Sequence, residues 1–104
     1  MHRSLSYIDP QAKLARNVVV EPFVTIEKNV EIGSGTWIGS NVTIMEGARI
    51  GKNCEIFPGA VISAIPQDKK FKGEESLAII GDNTVIRECA TVNRATKVTG
   101  KTIV

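Results

Sequence analysis

The chain of 104 residues has one histidine, His2, and two cysteines, Cys54 and Cys89. One imidazole cannot build a zinc site of several histidines, and the cysteines are not spaced as a metal-ligand set, so we expect no metal site. Both thiols are expected to be free, because a reducing compartment disfavours disulfides. We predict that both occupy small inward positions of the repeat described below, where a thiol acts as a compact hydrophobe.

Long apolar runs and a strong charge of one sign are also lacking. No run approaches the ~20 apolar residues of a membrane span, and residues 1–6 contain no hydrophobic signal core. Thirteen basic and eleven acidic residues give a formal charge of +2, which is too weak to indicate a nucleic-acid partner. We therefore expect a cytoplasmic protein of one domain, with no membrane span and no cofactor.

An aliphatic residue recurs at every sixth position through most of the chain. The series is Ile8, Leu14, Val20, Ile26, Ile32, Ile38, Ile44, Ile50, Ile56 and Ile62, and it resumes in phase at Ile80, Ile86, Val92, Val98 and Val104. A helix turns about 100° per residue and would scatter these positions over several sides. A single strand of such length does not occur in globular proteins. The pattern therefore predicts short strands that alternate with turns.

Two companion patterns support this interpretation. The residue two positions before each aliphatic is small or β-branched, as at Val18, Val24, Val30, Thr36, Val42, Ala48, Cys54, Ala60, Thr84, Ala90, Thr96 and Thr102. Before that pair stands a residue that tolerates left-handed backbone, as at Asn17, Asn29, Gly35, Asn41, Gly47, Asn53, Gly59 and Asn83. Each unit is therefore predicted to be a three-residue strand, pointing in, out and in, after a tight corner.

Stacking of such units predicts an all-β fold, a parallel β-solenoid that forms a single domain over residues 1–104. The pattern resembles the hexapeptide-repeat family, in which three units close a triangular coil of 18 residues. That resemblance, and not the periodicity, implies a left-handed parallel β-helix, against the usual handedness of parallel crossovers.

The series fails where Asp68 and Glu74 occupy the expected core positions. An unpaired charge inside an apolar column costs several kcal/mol, so we predict that the chain leaves the coil as one protruding loop over residues 63–79. From composition alone this loop is a solvated surface insertion.

The amino-acid sequence of the loop adds a more specific resemblance. It reads Gln67-Asp68-Lys69-Lys70-Phe71-Lys72-Gly73-Glu74, followed by Ile80-Gly81-Asp82-Asn83, Ile86-Arg87-Glu88 and Thr91-Val92-Asn93-Arg94-Ala95-Thr96. These elements resemble, in order and spacing, the acyl-carrier-protein–UDP-N-acetylglucosamine O-acyltransferase family of lipid A biosynthesis. The resemblance implies a homotrimer with acyl carrier protein and UDP-N-acetylglucosamine as substrates, and substrate contacts at Gln67, Asp68 and Lys70.

The sequence departs from that family in two places. Asn93 stands where many members carry histidine, and the family's general-base histidine corresponds to a position about one coil beyond Val104. We therefore expect that this chain is truncated at its carboxyl end, carries no catalytic residue and is inactive alone, although Asp68 is a conceivable poor base.

Several alternatives remain open at this point. The chain is an enzyme fragment, a non-catalytic trimerising or sugar-nucleotide-binding module, or part of a related sugar-nucleotide N-acyltransferase. Phe71 anchors the loop or stacks on a ligand, and Arg87 with Glu88 forms a trimer-interface ion pair or is merely solvated. Trp37 and Phe57 are predicted to point outward, which favours oligomerisation.

Overall fold

The computed structural model describes residues 5–64, 77–93 and 101–103, which form fourteen short strands and no helix. The strands are β1 (Tyr7–Ile8), β2 (Lys13–Leu14), β3 (Val19–Val20), β4 (Thr25–Ile26), β5 (Glu31–Ile32), β6 (Trp37–Ile38), β7 (Thr43–Ile44), β8 (Ala48–Ile50), β9 (Glu55–Ile56), β10 (Val61–Ala64), β11 (Leu77–Ile80), β12 (Val85–Ile86), β13 (Thr91–Asn93) and β14 (Lys101–Ile103).

Each strand pairs in parallel with the third strand after it, which builds three sheets. Sheet A contains β1, β4, β7, β10 and β13; sheet B contains β2, β5, β8, β11 and β14; sheet C contains β3, β6, β9 and β12. In the regular part of the chain, paired residues lie 18 positions apart, as Tyr7 and Thr25 do. The molecule is therefore a three-sided β-helix, measuring 39 × 24 × 24 Å along its principal axes.

The predicted aliphatic series forms the interior of this prism. In sheet A, the side chains of Ile26, Ile44 and Ile62 stack with no exposed surface, whereas Ile8 at the end of the column is only partly buried. Most strands have two residues instead of the predicted three. The small inward residue, such as Val24, directly precedes the strand and is nevertheless buried.

All eight residues predicted to adopt left-handed backbone do so, with φ between 56° and 95°. Three residues of other types share this conformation: Phe23, Ser63 and Cys89, with φ of 66°, 65° and 58°. Phe23 and Cys89 are in phase with the predicted corner positions. The repeat therefore imposes the backbone conformation even where the side chain does not favour it.

The two cysteines differ in environment. Cys54 is buried in the core as predicted, and its Sγ lies 3.2 Å from the carbonyl oxygen of Gly81. The inward position predicted for Cys89 was wrong, because Cys89 is exposed at a corner. The inward position in that repeat belongs to Ala90, which packs against the core.

The strand register shows how many extra residues the chain has where it leaves the coil. Val61 pairs with Thr91, 30 positions later, which is 12 more than the regular 18. Leu77 pairs with Lys101, 24 positions later, so six further residues separate β13 from β14. The prediction of a single interruption therefore missed a second, shorter one. Twelve and six are both multiples of the repeat, so neither insertion changes the phase of the aliphatic series.

Candidate functional site

The two interruptions lie at the same edge of the prism, between sheets A and B. The first follows Ala64 at the end of β10, and the second follows Asn93 at the end of β13, which is the paired residue in the next coil. The chain rejoins sheet B at Leu77 and at Lys101, which also pair with each other. Extra residues in consecutive coils therefore leave and return at one place, which we call the A–B edge.

The chain leaves sheet A through a β-bulge at Ser63. Ile62 pairs with Val92 and Ala64 pairs with Asn93, so Ser63 is one residue too many in its strand. Ser63 is fully buried and has left-handed backbone, which costs a non-glycine residue about 1 kcal/mol. Its hydroxyl donates to the carbonyl oxygen of Glu46 at 2.8 Å. Because a bulge bends its strand, Ser63 sets the direction in which the chain departs.

Adjacent residues of the preceding coil hold both ends of the first interruption. The carbonyl of Glu46 accepts the hydrogen bond from Ser63, and the carbonyl of Gly47 accepts one from the amide of Ala78 at 3.0 Å. The amide of Glu46 in turn donates to Glu27 Oε1 at 3.0 Å. The structure therefore fixes both anchors of the predicted loop to a rigid coil, an arrangement in which binding residues are commonly placed.

The predicted substrate-binding residues Gln67, Asp68 and Lys70 lie outside the described residues, as does Phe71. The predicted loop boundaries, 63 and 79, fall inside strands, because β10 includes Ser63 and Ala64 and β11 begins at Leu77. His2 and Val104 are also outside the described part.

A groove of about 570 Å³ runs beside the return strand β11, along sheet B and its border with sheet C. The residues that line it include Gly33, Gly51 and Gly81, which stack in successive coils. A methyl group on Gly51 would lie 2.8 Å from the amide nitrogen of Asp82 and 2.9 Å from the carbonyl carbon of Gly81. Close stacking of successive coils therefore requires glycine there.

The polar groups beside the groove are largely paired with one another. Arg49 donates through Nη1 to the carbonyl oxygen of Asn29 at 2.6 Å and through Nη2 to Asn29 Oδ1 at 2.8 Å, and its Nε lies 3.7 Å from Glu31 Oε2. Asp82 Oδ1 accepts from the amide of Lys52 at 2.8 Å. These contacts join neighbouring coils, so we interpret them as supports of the A–B edge and of the groove.

The outward aromatic residues form a small cluster on the opposite side of the prism. The rings of Trp37 and Phe57 meet edge to face, with centroids 5.5 Å apart, and Trp37 Nε1 donates to Glu21 Oε2 at 2.9 Å. The guanidinium of Arg87 lies 4.7 Å from the centre of the Phe57 ring. Arg87 Nε is 3.3 Å from Glu88 Oε1, and both side chains are exposed.

Tyr7 is the group among the described residues whose pKa is clearly shifted. Its hydroxyl donates to Asp9 Oδ2 at 3.1 Å, and this bond together with the negative charge of Asp9 raises the pKa of the phenol.

We predict that Asp9→Asn lowers the pKa of Tyr7 towards its ordinary value, because the amide carries no charge to oppose the phenolate. An NMR titration of the Tyr7 ring measures this. Glu27→Gln is the control and should lower the pKa less, since Glu27 contributes least. An unchanged pKa in Asp9→Asn would contradict the assignment.

No helix in the described part of the chain is long and apolar enough to cross a membrane. No three side chains among the histidine, cysteine, aspartate and glutamate residues of that same part are grouped closely enough to hold a metal ion.

Comparisons with known proteins agree with the architecture. Residues 3–104 match the family model described as GMPPB C-terminal domain. An acyl-[acyl-carrier-protein]–UDP-N-acetylglucosamine O-acyltransferase of Chlorobaculum parvum is 57% identical over 44 residues, covering 42% of this chain and 17% of the relative. The corresponding protein of Chlamydia abortus is 39% identical over 89 residues, covering 86% of this chain and 32% of the relative.

A solved structure extends the likeness to the whole chain. The UDP-N-acetylglucosamine acyltransferase from Bacteroides fragilis superposes with a TM-score of 0.97 and 57% identity over all of this chain and 41% of the other. The chain shares the left-handed parallel β-helix of such structures, which confirms the predicted fold. The chain thus spans less than half the length of each protein that it matches here.

Proposed function

Because the chain belongs to the GMPPB C-terminal domain family and is homologous to acyl-[acyl-carrier-protein]–UDP-N-acetylglucosamine O-acyltransferases, we propose that the protein transfers a 3-hydroxyacyl group from acyl carrier protein to the 3-hydroxyl of UDP-N-acetylglucosamine. This reaction is the first step of lipid A biosynthesis. The observation that carries the proposal is the A–B edge, where the coil is interrupted twice and the first interruption contains the sequence that resembles this family.

In the proposed reaction, the sugar hydroxyl attacks the thioester carbonyl of the acyl donor. The carbon–oxygen bond forms, the carbon–sulfur bond breaks, and the hydroxyl proton passes through a base to the leaving thiolate. Asp68 accepts hydrogen bonds from sugar hydroxyls, Gln67 both donates and accepts, and Lys70 places a positive charge near the diphosphate or donates to the acyl 3-hydroxyl. These roles orient both substrates before the attack.

In this proposal an imidazole takes the hydroxyl proton, and His2, the single histidine of these 104 residues, is not assigned that role. The homotrimer, the acyl-carrier-protein partner and the cytoplasmic location belong to the same proposal. The names of the relatives support the acyl-carrier-protein partner, and the resemblance of the loop sequence to this family supports the homotrimer.

Alanine substitutions in the full-length protein test the assignment. We expect Asp68→Ala and Lys70→Ala each to lower kcat/KM for acyl transfer by about tenfold to a hundredfold, which is the effect of losing a charged hydrogen bond of about 1.5–3 kcal/mol. Gln67→Ala should have a smaller effect, because its bonds are uncharged. The assay uses 3-hydroxyacyl carrier protein and UDP-N-acetylglucosamine.

Lys69→Ala is the matched control, because it removes the same charge from the neighbouring position, which the resemblance does not assign to substrate. Equal kcat/KM in the Lys69 and Lys70 variants would contradict the role of Lys70. A full-length protein that binds UDP-N-acetylglucosamine without any transfer would favour the binding-module alternative.

A further inference from the structure

Both ends of the first interruption are held by one short stretch of backbone, at the consecutive residues Glu46 and Gly47. The peptide group that joins these two residues is engaged on both sides. Its carbonyl oxygen accepts from the hydroxyl of Ser63 at 2.8 Å, and its N–H donates to the carbonyl oxygen of Asn29 at 3.1 Å. The carbonyl of Gly47 then accepts from the amide of Ala78 at 3.0 Å. The departure and the return of the chain therefore depend on the orientation of this one peptide group, which we call the hub peptide.

The residue types at this corner do not fix the orientation of the hub peptide. Gly47 has a φ of 95°, and glycine accepts both orientations of the central peptide group that distinguish the common tight turns. A reversed hub peptide would turn its carbonyl oxygen away from Ser63 and its N–H away from Asn29 at the same time. Contacts from other residues must therefore select the observed orientation.

Two charged side chains supply such contacts. Glu27 Oε1 accepts from the amide of Glu46 at 3.0 Å, which fixes the peptide group just before the hub peptide. Arg49 donates through Nη1 to the carbonyl oxygen of Asn29 at 2.6 Å and through Nη2 to Asn29 Oδ1 at 2.8 Å. Arg49 thereby holds the oxygen that accepts from the hub peptide. Hydrogen bonds to charged groups are short and strong, and the planar guanidinium fixes their direction.

The contacts of Arg49 are directed towards the A–B edge and not along sheet B. Its Nη1 also lies 3.0 Å from the carbonyl oxygen of Ala48, the residue next to Gly47. Its Nε, by contrast, is 3.7 Å from Glu31 Oε2, which is too long for a hydrogen bond. A partly exposed ion pair of that kind contributes little to stability. The short hydrogen bonds of Arg49 therefore support the corner that carries the anchors of the interruption.

We infer that Glu27 and Arg49 are positioning residues for the proposed acyl transfer, which act by fixing the hub peptide and, through it, both ends of the first interruption. This role rests on the proposed function, which assigns the substrate contacts to residues within that interruption. Neither Glu27 nor Arg49 is assigned a contact with substrate. Because a shift of the reacting groups by about 1 Å costs up to about a hundredfold in rate, loosening the two anchors should slow the transfer more than it weakens substrate binding.

Steady-state kinetics of the full-length protein, with 3-hydroxyacyl carrier protein and UDP-N-acetylglucosamine, test the positioning role. We expect Glu27→Ala and Arg49→Ala each to lower kcat about tenfold and to change KM for UDP-N-acetylglucosamine by less than about threefold. Glu27→Gln should keep most of kcat, because the side-chain amide oxygen of glutamine still accepts from the backbone amide of Glu46. Circular dichroism first establishes a temperature at which every variant is folded, so that a loss of stability alone would not change kcat.

Two control variants remove matching side chains that have no hydrogen bond or ion pair within the described part of the chain. Glu55→Ala truncates an exposed glutamate, and Lys13→Ala truncates an exposed cation in the same outward column as Arg49. Both variants should retain the wild-type kcat. Ser63→Ala combined with Glu27→Ala should lower kcat by less than the product of the two single effects, because both side chains act on the same anchor.

Hydrogen exchange at the amide of Ala78, which donates to Gly47, gives a readout that does not depend on activity. We expect this exchange to be at least about tenfold faster in Glu27→Ala and Arg49→Ala than in the wild type, since the anchor opens more often. Exchange in the two control variants should match that of the wild type.

Three results overturn the positioning role: an unchanged kcat in both Glu27→Ala and Arg49→Ala, a fall in kcat without faster exchange at Ala78, or an equal fall in kcat in the control variants. A wild-type protein that transfers no acyl group contradicts the proposed function and the positioning role together. The two failures are distinguishable, because unchanged variants of an active wild type contradict the positioning role alone.

Discussion

Replacing Gly51 by alanine is expected to lower the free energy of unfolding by about 3 kcal/mol, because successive coils approach too closely for a methyl group. The added carbon would overlap Asp82 Oδ1 and would lie 2.8 Å from the amide nitrogen of Asp82 and 2.9 Å from the carbonyl carbon of Gly81. The first contact is with a side chain that can move, but the other two are with backbone that directly follows β11, the strand paired with β8. Urea unfolding of the full-length protein should show a lower midpoint at an unchanged slope.

The Asp82→Ala variant separates the two kinds of contact. Alone, it removes the hydrogen bond to the amide of Lys52, at a cost of about 1 kcal/mol. Combined with Gly51→Ala, it removes the carboxylate but leaves both backbone contacts. The double variant should therefore remain about as unstable as the two single losses together. If the double variant had the same free energy of unfolding as Asp82→Ala, the instability of Gly51→Ala would come from the contact with the carboxylate and not from the backbone contacts.

The corner positions show what the sequence can predict about this fold. The eight asparagine and glycine residues singled out by type all adopt left-handed backbone. Phe23 and Cys89 were missed as corners because their types do not favour that conformation, although both are in phase with the others. Phase therefore identifies corners that residue type misses, although Gln11 is also in phase and does not adopt this backbone.

The interruptions show what the sequence cannot predict. The first was detected because Asp68 and Glu74 would have placed charges in the core. The second was missed because Val98 and Val104 preserve the aliphatic series across it. Six residues are one repeat unit, so an insertion of six leaves the same side chains pointing inward. It nevertheless places every later strand in a different sheet from the one expected for an uninterrupted repeat. Periodicity reports the phase of the repeat, whereas only the register between strands reports how many repeats form a coil.

The candidate site likewise contains residues that the sequence identifies and residues that only the structure reveals. Gln67, Asp68 and Lys70 were identified because the loop sequence resembles that of a known family. Such a resemblance indicates the chemical role of the residues but not where they lie in the structure. The anchors at Ser63, Glu46 and Gly47 have no comparable signature, because two of them act through backbone carbonyls. Their role is visible only in the structure, where both ends of the interruption meet adjacent residues of one coil.

Removing residues 65–76 from the full-length protein is expected to abolish acyl transfer while leaving the solenoid folded. The deletion takes out twelve residues, so Val61 and Thr91 return to the regular spacing of 18 and β10 to β13 form an uninterrupted coil. Stability should change by no more than about 1 kcal/mol, because shortening a surface loop alters mainly its closure entropy. Since Gln67, Asp68 and Lys70 are lost together, kcat/KM should fall by about a thousandfold or more.

A deletion of thirteen residues, 65–77, is the matched control for the fold. It shortens the coil by one residue too many, so every later residue of the repeat must slip by one position relative to the preceding coil. Arg87 then takes the inward position of Ile86, and Gly81 takes that of Ile80. Polar groups therefore enter the apolar column, and thermal unfolding followed by circular dichroism should show a lower midpoint than for the twelve-residue deletion. Similar midpoints in the two deletions would show that the coil does not depend on this register. Acyl transfer that survives the twelve-residue deletion would remove Gln67, Asp68 and Lys70 from the proposed site.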